Sequence, residues 1–130
     1  MTSRMEDLTH LIYDEVGSDK PFFDLVDAFY RGIETDPIIR PMYPDKLDKA
    51  KEHLALFLVQ RFGGPTTYSD NRGHPRLRMR HAPFIIGEAE RDAWLMHMNA
   101  ALDEVDALKP YREQLDQYFK NSADFLINKP

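Results

Sequence analysis

The chain has 130 residues, 42% hydrophobic and 30% charged, with a net charge of −5 and no cysteine. That length fits a single domain over residues 1–130, with a core large enough to enclose an apolar ligand of cofactor size. The acidic balance argues against nucleic acid as a partner, and the missing thiols exclude disulfides, thiolate metal sites and cysteine nucleophiles. No stretch approaches the ~18 continuous apolar residues of a membrane span, so a soluble, cytoplasmic protein is expected.

Helical periodicity runs through nearly the whole chain. A short amphipathic piece around Leu8, Leu11, Ile12 and Glu15 ends at Gly17. Ser18 is placed to cap the next helix, whose stripe of Phe22, Leu25, Val26, Phe29, Tyr30 and Ile33 has the spacing of one buried face until Asp36-Pro37 stops it. A turn-rich passage follows, carrying Ile38, Ile39, Met42 and Tyr43. Asp45 then opens a third helix, which buries Leu47, Ala50, Leu54, Phe57 and Leu58 and ends at Gly63-Gly64-Pro65. Glu88 begins a helix with Trp94, Leu95, Met98, Ala101, Leu102 and Val105 on one side. A last helix after Lys109-Pro110 carries Tyr111, Leu115, Tyr118, Phe119, Ser122 and Leu126. No strand-like alternation is left over, and the fold class is all-α.

Between these helices, residues 63–84 read as a long basic loop with a short turn near His81. Arg72, His74, Arg76, Arg78 and Arg80 alternate there with Leu77 and Met79. A basic stretch is ordinarily a solvated surface. A loop of this length inside a compact helical domain instead suggests that it lines a ligand, and its charge asks for an anionic one.

The remaining chemistry is sparse. No two of His10, His53, His74, His81 and His97 stand at the i, i+4 spacing of a zinc pair on one helical face. Asp24, Asp27, Asp45, Asp48, Asp103, Glu104 and Asp106 fall off the apolar stripes and read as solvated carboxylates. Gly63-Gly64 lacks the Lys-Ser/Thr of a phosphate cradle and reads as a helix stop. What is left is a set of polar aromatics on inward positions: Tyr30, Tyr43 and Trp94. Each alone is a common core filler, but buried O–H and N–H donors gathered together suit an electronegative ligand.

At residues 13–127 the chain resembles the truncated haemoglobins of the second group, the O type. The block that carries the resemblance is Gly63-Gly64-Pro65, Tyr68-Ser69, then Arg72-Gly73-His74-Pro75-Arg76-Leu77-Arg78-Met79-Arg80-His81-Ala82-Pro83-Phe84, followed by Glu90-Arg91-Asp92-Ala93-Trp94. The resemblance implies a two-over-two helical sandwich, the truncated globin fold, around one haem b (iron protoporphyrin IX). It implies His81 as the proximal iron ligand and Tyr30, Tyr43 and Trp94 as a distal polar cluster. On the same basis Arg78, His74 and Tyr68 are expected at the propionates, with Leu77, Met79 and Phe84 against the porphyrin. Ala50 stands where many globins carry a distal histidine, and Leu54 and Phe57 would shape the distal wall.

The chain departs from the family pattern at two places. Ser18 follows Gly17 where a Gly-Gly pair is common, and His53 stands where relatives often have a propionate-binding arginine. The second leaves a propionate contact at His53 open, and a sixth-ligand role for His53 would require the helix to rotate. The resemblance further implies binding of O2, CO, NO and cyanide at a five-coordinate iron. Hydrogen bonds that retain O2 suit redox chemistry with nitric oxide or peroxide better than carriage, and such chemistry needs a reductase or other electron donor. The alternative is a passive oxygen-binding, storage, transport or sensing globin. A homodimer and contact with a membrane surface are left open.

Overall fold

A computed structural model describes residues 9–128, apart from the side chain of Arg78. Leu8, counted above in the first amphipathic piece, lies outside them. The α-helices among these residues are α1 (Ile12–Val16), α2 (Lys20–Ile33), α3 (Asp48–Arg61), α4 (Thr67–Arg72), α5 (Leu77–His81), α6 (Glu88–Glu104) and α7 (Arg112–Phe125). Short 3₁₀ turns stand at Thr9–Leu11, Arg40–Met42 and Asp106–Tyr111, and the described residues contain no strand. The pair α2 and α3 packs over the pair α6 and α7, with α2 against α6 at the centre, in a two-over-two sandwich.

The α2 stripe is buried as its spacing requires: Phe22, Leu25, Phe29 and Ile33 are fully enclosed, with Val26 and Tyr30 beside them. Met98, Ala101 and Leu102 of α6 and Leu115 and Phe119 of α7 complete this core. Each such aliphatic or aromatic side chain contributes about 1.5–3 kcal/mol on burial. Tyr13, Phe22 and Phe62 stack in sequence and Phe62 meets Phe119 edge to face, so the short N-terminal helix is held by aromatic contacts as well.

The helix starts differ from the sequence reading for identifiable reasons. Asp19, not Ser18, precedes α2; its carboxylate accepts a hydrogen bond from the Tyr13 hydroxyl at 2.8 Å, and its carbonyl receives the Phe22 and Phe23 amides. Pro21 at the second helical position needs no amide partner. α3 starts at Asp48 instead of Asp45, because the Arg40 guanidinium donates to the Asp45 carbonyl at 3.0 Å and keeps that residue in the preceding turn.

α3 also uses two faces. Ala55, Leu58 and Val59, with Phe62 behind them, enter the core, whereas Ala50, Leu54 and Phe57 are only half-buried. The expectation that those three are core residues is corrected: they face a cavity. The turn after α3 requires glycine. Gly63 has φ +103 and a Cβ there would overlap the His10 carbonyl oxygen, while the neighbouring Tyr13 amide donates to the Phe62 carbonyl at 2.9 Å.

Residues 63–84 are not a loop. They form α4 and α5, joined through Gly73 (φ +79) and Arg76, a non-glycine residue at φ +47. Gln60 of α3 fixes α4 by donating to Ser69 Oγ at 2.8 Å and accepting the Ser69 amide at 2.9 Å. Arg80 joins α5 back to α4, donating from Nε to the Pro75 carbonyl at 2.8 Å and from Nη2 to the Arg72 carbonyl at 3.0 Å. A cation that looked free in sequence thus satisfies backbone groups that short helices leave open.

Candidate functional site

A cavity of about 480 Å³ opens between α3, α5, α6, α7 and the turn after α2. Tyr30, Tyr43, Trp94, Ala50, His53, Leu54, Phe57, Tyr68, Leu77, His81 and Phe84, all singled out in the sequence, line it. His74 and Met79 do not: both are exposed, and His74 Nδ1 instead accepts the Arg76 amide at 3.3 Å. The side chain of Arg78 lies outside the described atoms. The sequence reading missed the α7 contribution of Tyr118, Phe119, Ser122, Ala123 and Leu126, together with Met42 and Pro44. A serine within the apolar stripe of α7 was the available signal, since a hydroxyl is poorly suited to a closed core.

His81 is oriented from within its own helix. Its Nδ1 lies 2.7 Å from the Leu77 carbonyl oxygen. A carbonyl can only accept, so the ring proton sits on Nδ1 and Nε2 keeps its lone pair in the neutral ring. The backbone thereby selects the tautomer suited to a metal ligand.

The polar aromatics form a second group. Burial pushes the Tyr43 phenol up to about 12, and the neighbouring Trp94 indole, a donor toward that hydroxyl, acts in the opposite direction. Burial, reinforced by the neighbouring Tyr43, raises the Tyr30 phenol further. Both tyrosines are therefore neutral donors across the ordinary pH range. Their rings meet edge to face at 5.5 Å, and Phe29 sits 5.2 Å from both the Tyr30 and Trp94 rings. These contacts fix ring positions with little rotational freedom.

A polar edge completes the cavity. Arg72 Nη1 lies 3.2 Å from His53 Nε2, and since guanidinium only donates, His53 accepts there in its neutral form. Burial, then the charge of Arg72, lowers the His53 pKa, which agrees with that assignment. Arg72 also lies over the Tyr68 ring at 5.8 Å, and Tyr68 meets Phe57 edge to face at 5.5 Å. The outcome is a mainly apolar chamber with one oriented imidazole, a small set of neutral donors and a cationic rim.

Residues 11–128 match the family of bacterial-like globins. The chain belongs to that family. Within it the chain is a truncated haemoglobin of group 2. It is 35% identical over 117 residues to the group 2 truncated haemoglobin YjbI of Bacillus subtilis (strain 168), covering 90% of this chain and 88% of that protein. The solved haemoglobin of the thermophilic phototrophic bacterium Chloroflexus aurantiacus is 51% identical with a TM-score of 0.88, over 92% of this chain and 98% of that one. The thermostable haemoglobin of the actinobacterium Thermobifida fusca is 47% identical with a TM-score of 0.88, at the same coverage of 92% and 98%.

As a truncated haemoglobin the chain is a haem protein that binds diatomic gases. The residues present fit that group. The walls are apolar enough to take a porphyrin, His81 offers an unprotonated nitrogen, and Arg72 with His53 supplies a polar rim for its carboxylates.

Proposed function

We propose that this globin holds haem b through His81 as the sole protein ligand, retains O2 through Tyr43 and Trp94, and serves redox detoxification of nitric oxide or peroxide. Haem, when bound, supplies an iron centre that takes up diatomic gases and exchanges electrons. His81 is held in one tautomer by Leu77, Arg72 and Tyr68 meet the propionates, and Leu77, Phe84, Leu54 and Phe57 exclude water from the chamber.

The observation that carries this reading is the meeting of Tyr43, Trp94 and the oriented His81 on the walls of one mainly apolar cavity. Tyr43 and Trp94 each bring a donor proton to the cavity wall, suited to a ligand that draws negative charge. Donors fixed in a dry site favour such a ligand far more than they favour a neutral one. Strong retention suits a protein that consumes its gas with electrons from a reductase, and it suits a carrier poorly. NO, CO and cyanide fit the same space.

The visible spectra of the oxidised, reduced and CO-treated protein test the cofactor and its coordination. Stopped-flow decay of nitric oxide or peroxide, with a chemical reductant present, tests turnover. Decay no faster than that of free haemin, with reversible O2 binding intact, would overturn the detoxification reading in favour of a passive storage or sensing globin.

A further inference from the structure

Tyr43 shares the cavity wall with Trp94, yet it stands outside any helix, in extended backbone at φ −114 and ψ 154. Such a segment has no ladder of its own to hold its carbonyls. Arg40 provides the missing partners. Its Nη1 donates to the Tyr43 carbonyl at 3.2 Å and to the Pro44 carbonyl at 3.0 Å, and its Nη2 donates to the Asp45 carbonyl at 3.0 Å. The Tyr43 amide in turn donates to the Arg40 carbonyl at 3.1 Å, so the residue is gripped on both sides.

Arg40 is itself tied to the helix that carries Trp94. The Arg40 amide donates to the Asp36 carbonyl at 2.9 Å, and the Asp36 carboxylate accepts the Ile38 amide at 2.9 Å and His97 Nε2 at 2.7 Å. His97 lies one turn after Trp94 on α6. The bonds run from His97 of α6 through Asp36 and Arg40 to Tyr43, which shares the cavity wall with Trp94. Arg40 is not among the residues lining the cavity.

We propose that Arg40 is a positioning residue for the gas-binding cavity, pinning the backbone around Tyr43 so that its hydroxyl is set against the Trp94 indole. The proposal rests on the reading of Tyr43 and Trp94 as the retaining donors. A planar guanidinium is suited to the task because its several N–H groups diverge in fixed directions toward successive carbonyls, which an ammonium on a flexible stem does not match.

Trp94 is the only tryptophan of the chain, so its indole N–H gives a single resonance in the ¹⁵N-labelled, haem-loaded ferrous CO complex. Its hydrogen-exchange rate reads the contact with Tyr43 without reference to gas kinetics. Arg40→Met should speed that exchange by about five- to tenfold, the scale of one lost neutral hydrogen bond, and bring it near the rate of Tyr43→Phe. Arg40→Lys should recover part of the protection. Arg40→Met added to Tyr43→Phe should cause no further change. Arg40→Gln serves the same comparison if Arg40→Met does not fold.

Unchanged indole exchange in a folded Arg40 variant would overturn the proposal, as would an equal effect of Arg40→Met in the Tyr43→Phe background. Faster exchange with unaltered O2 release would uphold the clamp while removing the role of the two donors in gas retention. The two readings therefore fail separately.

Discussion

The Leu77 carbonyl receives the Nδ1 proton of His81 at 2.7 Å, four residues later in the same short helix. The bond makes the tautomer of the ring a property of backbone geometry and leaves Nε2 available to the cavity. His81→Gly should lose haem or keep it only weakly, and added imidazole should restore binding. His53→Ala should keep the spectrum, because Arg72 already occupies the His53 Nε2 lone pair. A native spectrum in His81→Gly, with loss in His53→Ala, would show that the ligand had been misassigned.

Arg72 and Arg76 both carry positive charge in the basic segment, but of the two Arg72 alone lines the cavity. Arg72→Glu is expected to speed haem transfer to an acceptor protein by about two- to fivefold, since an exposed pair is worth only about 0–1 kcal/mol. Arg76→Glu changes net charge equally and should have little effect. Equal rates for the two variants would assign the whole effect to the field of the basic segment.

Trp94→Phe removes the indole donor while keeping most of the apolar area. A hydrogen bond to a charge-bearing ligand contributes about 1.5–3 kcal/mol, so O2 release should accelerate by about one to two powers of ten. CO takes less charge and should respond more weakly. Equal acceleration of both gases would make Trp94 a steric gate; no change for either would make it core packing only.

The hydrogen bond from His97, with those from the Ile38 and Ile39 amides, holds the Asp36 carboxyl below the usual carboxylate range. A depressed carboxylate contributes stability that is fully present above its unfolded pKa of about 4 and is lost as pH falls through its lower folded value. Thermal unfolding across pH 2.5–7 should therefore show Asp36→Asn costing stability at neutral pH, with the wild type and the variant converging at the acid end. Parallel curves would exclude this linkage.

Gly63→Ala forces a Cβ onto the His10 carbonyl at φ +103. The cost should be about 2–4 kcal/mol, combining left-handed strain with a clash against backbone. Gly73, at φ +79 and ψ −164 in a region essentially reserved for glycine but with open space around it, should lose about 1–3 kcal/mol on the same substitution, from strain alone. Urea unfolding of the two variants makes the comparison.

What the sequence determined by itself was local and periodic. The α2 stripe from Phe22 to Ile33 could be assigned because a single buried face repeats at helical spacing, and the stops at Gly17 and Gly63-Gly64 follow from backbone sterics. The motif around His81 led to the family, and with it to the cavity-lining residues that local chemistry alone had left as core fillers. Tertiary structure decided the rest. α3 carries apolar residues on two faces, and pattern alone cannot separate a face against core from one against a chamber. The arginines of residues 63–84 looked equivalent, yet Arg80 satisfies the Pro75 and Arg72 carbonyls while Arg72 meets His53, because each role depends on which backbone groups the short helices leave open. The pairing of Trp94 with Tyr43, and the grip of Arg40 on Tyr43, join segments whose relation exists only once α2 lies on α6: hydrogen bonds are short-ranged and directional, and no spacing along the chain encodes them.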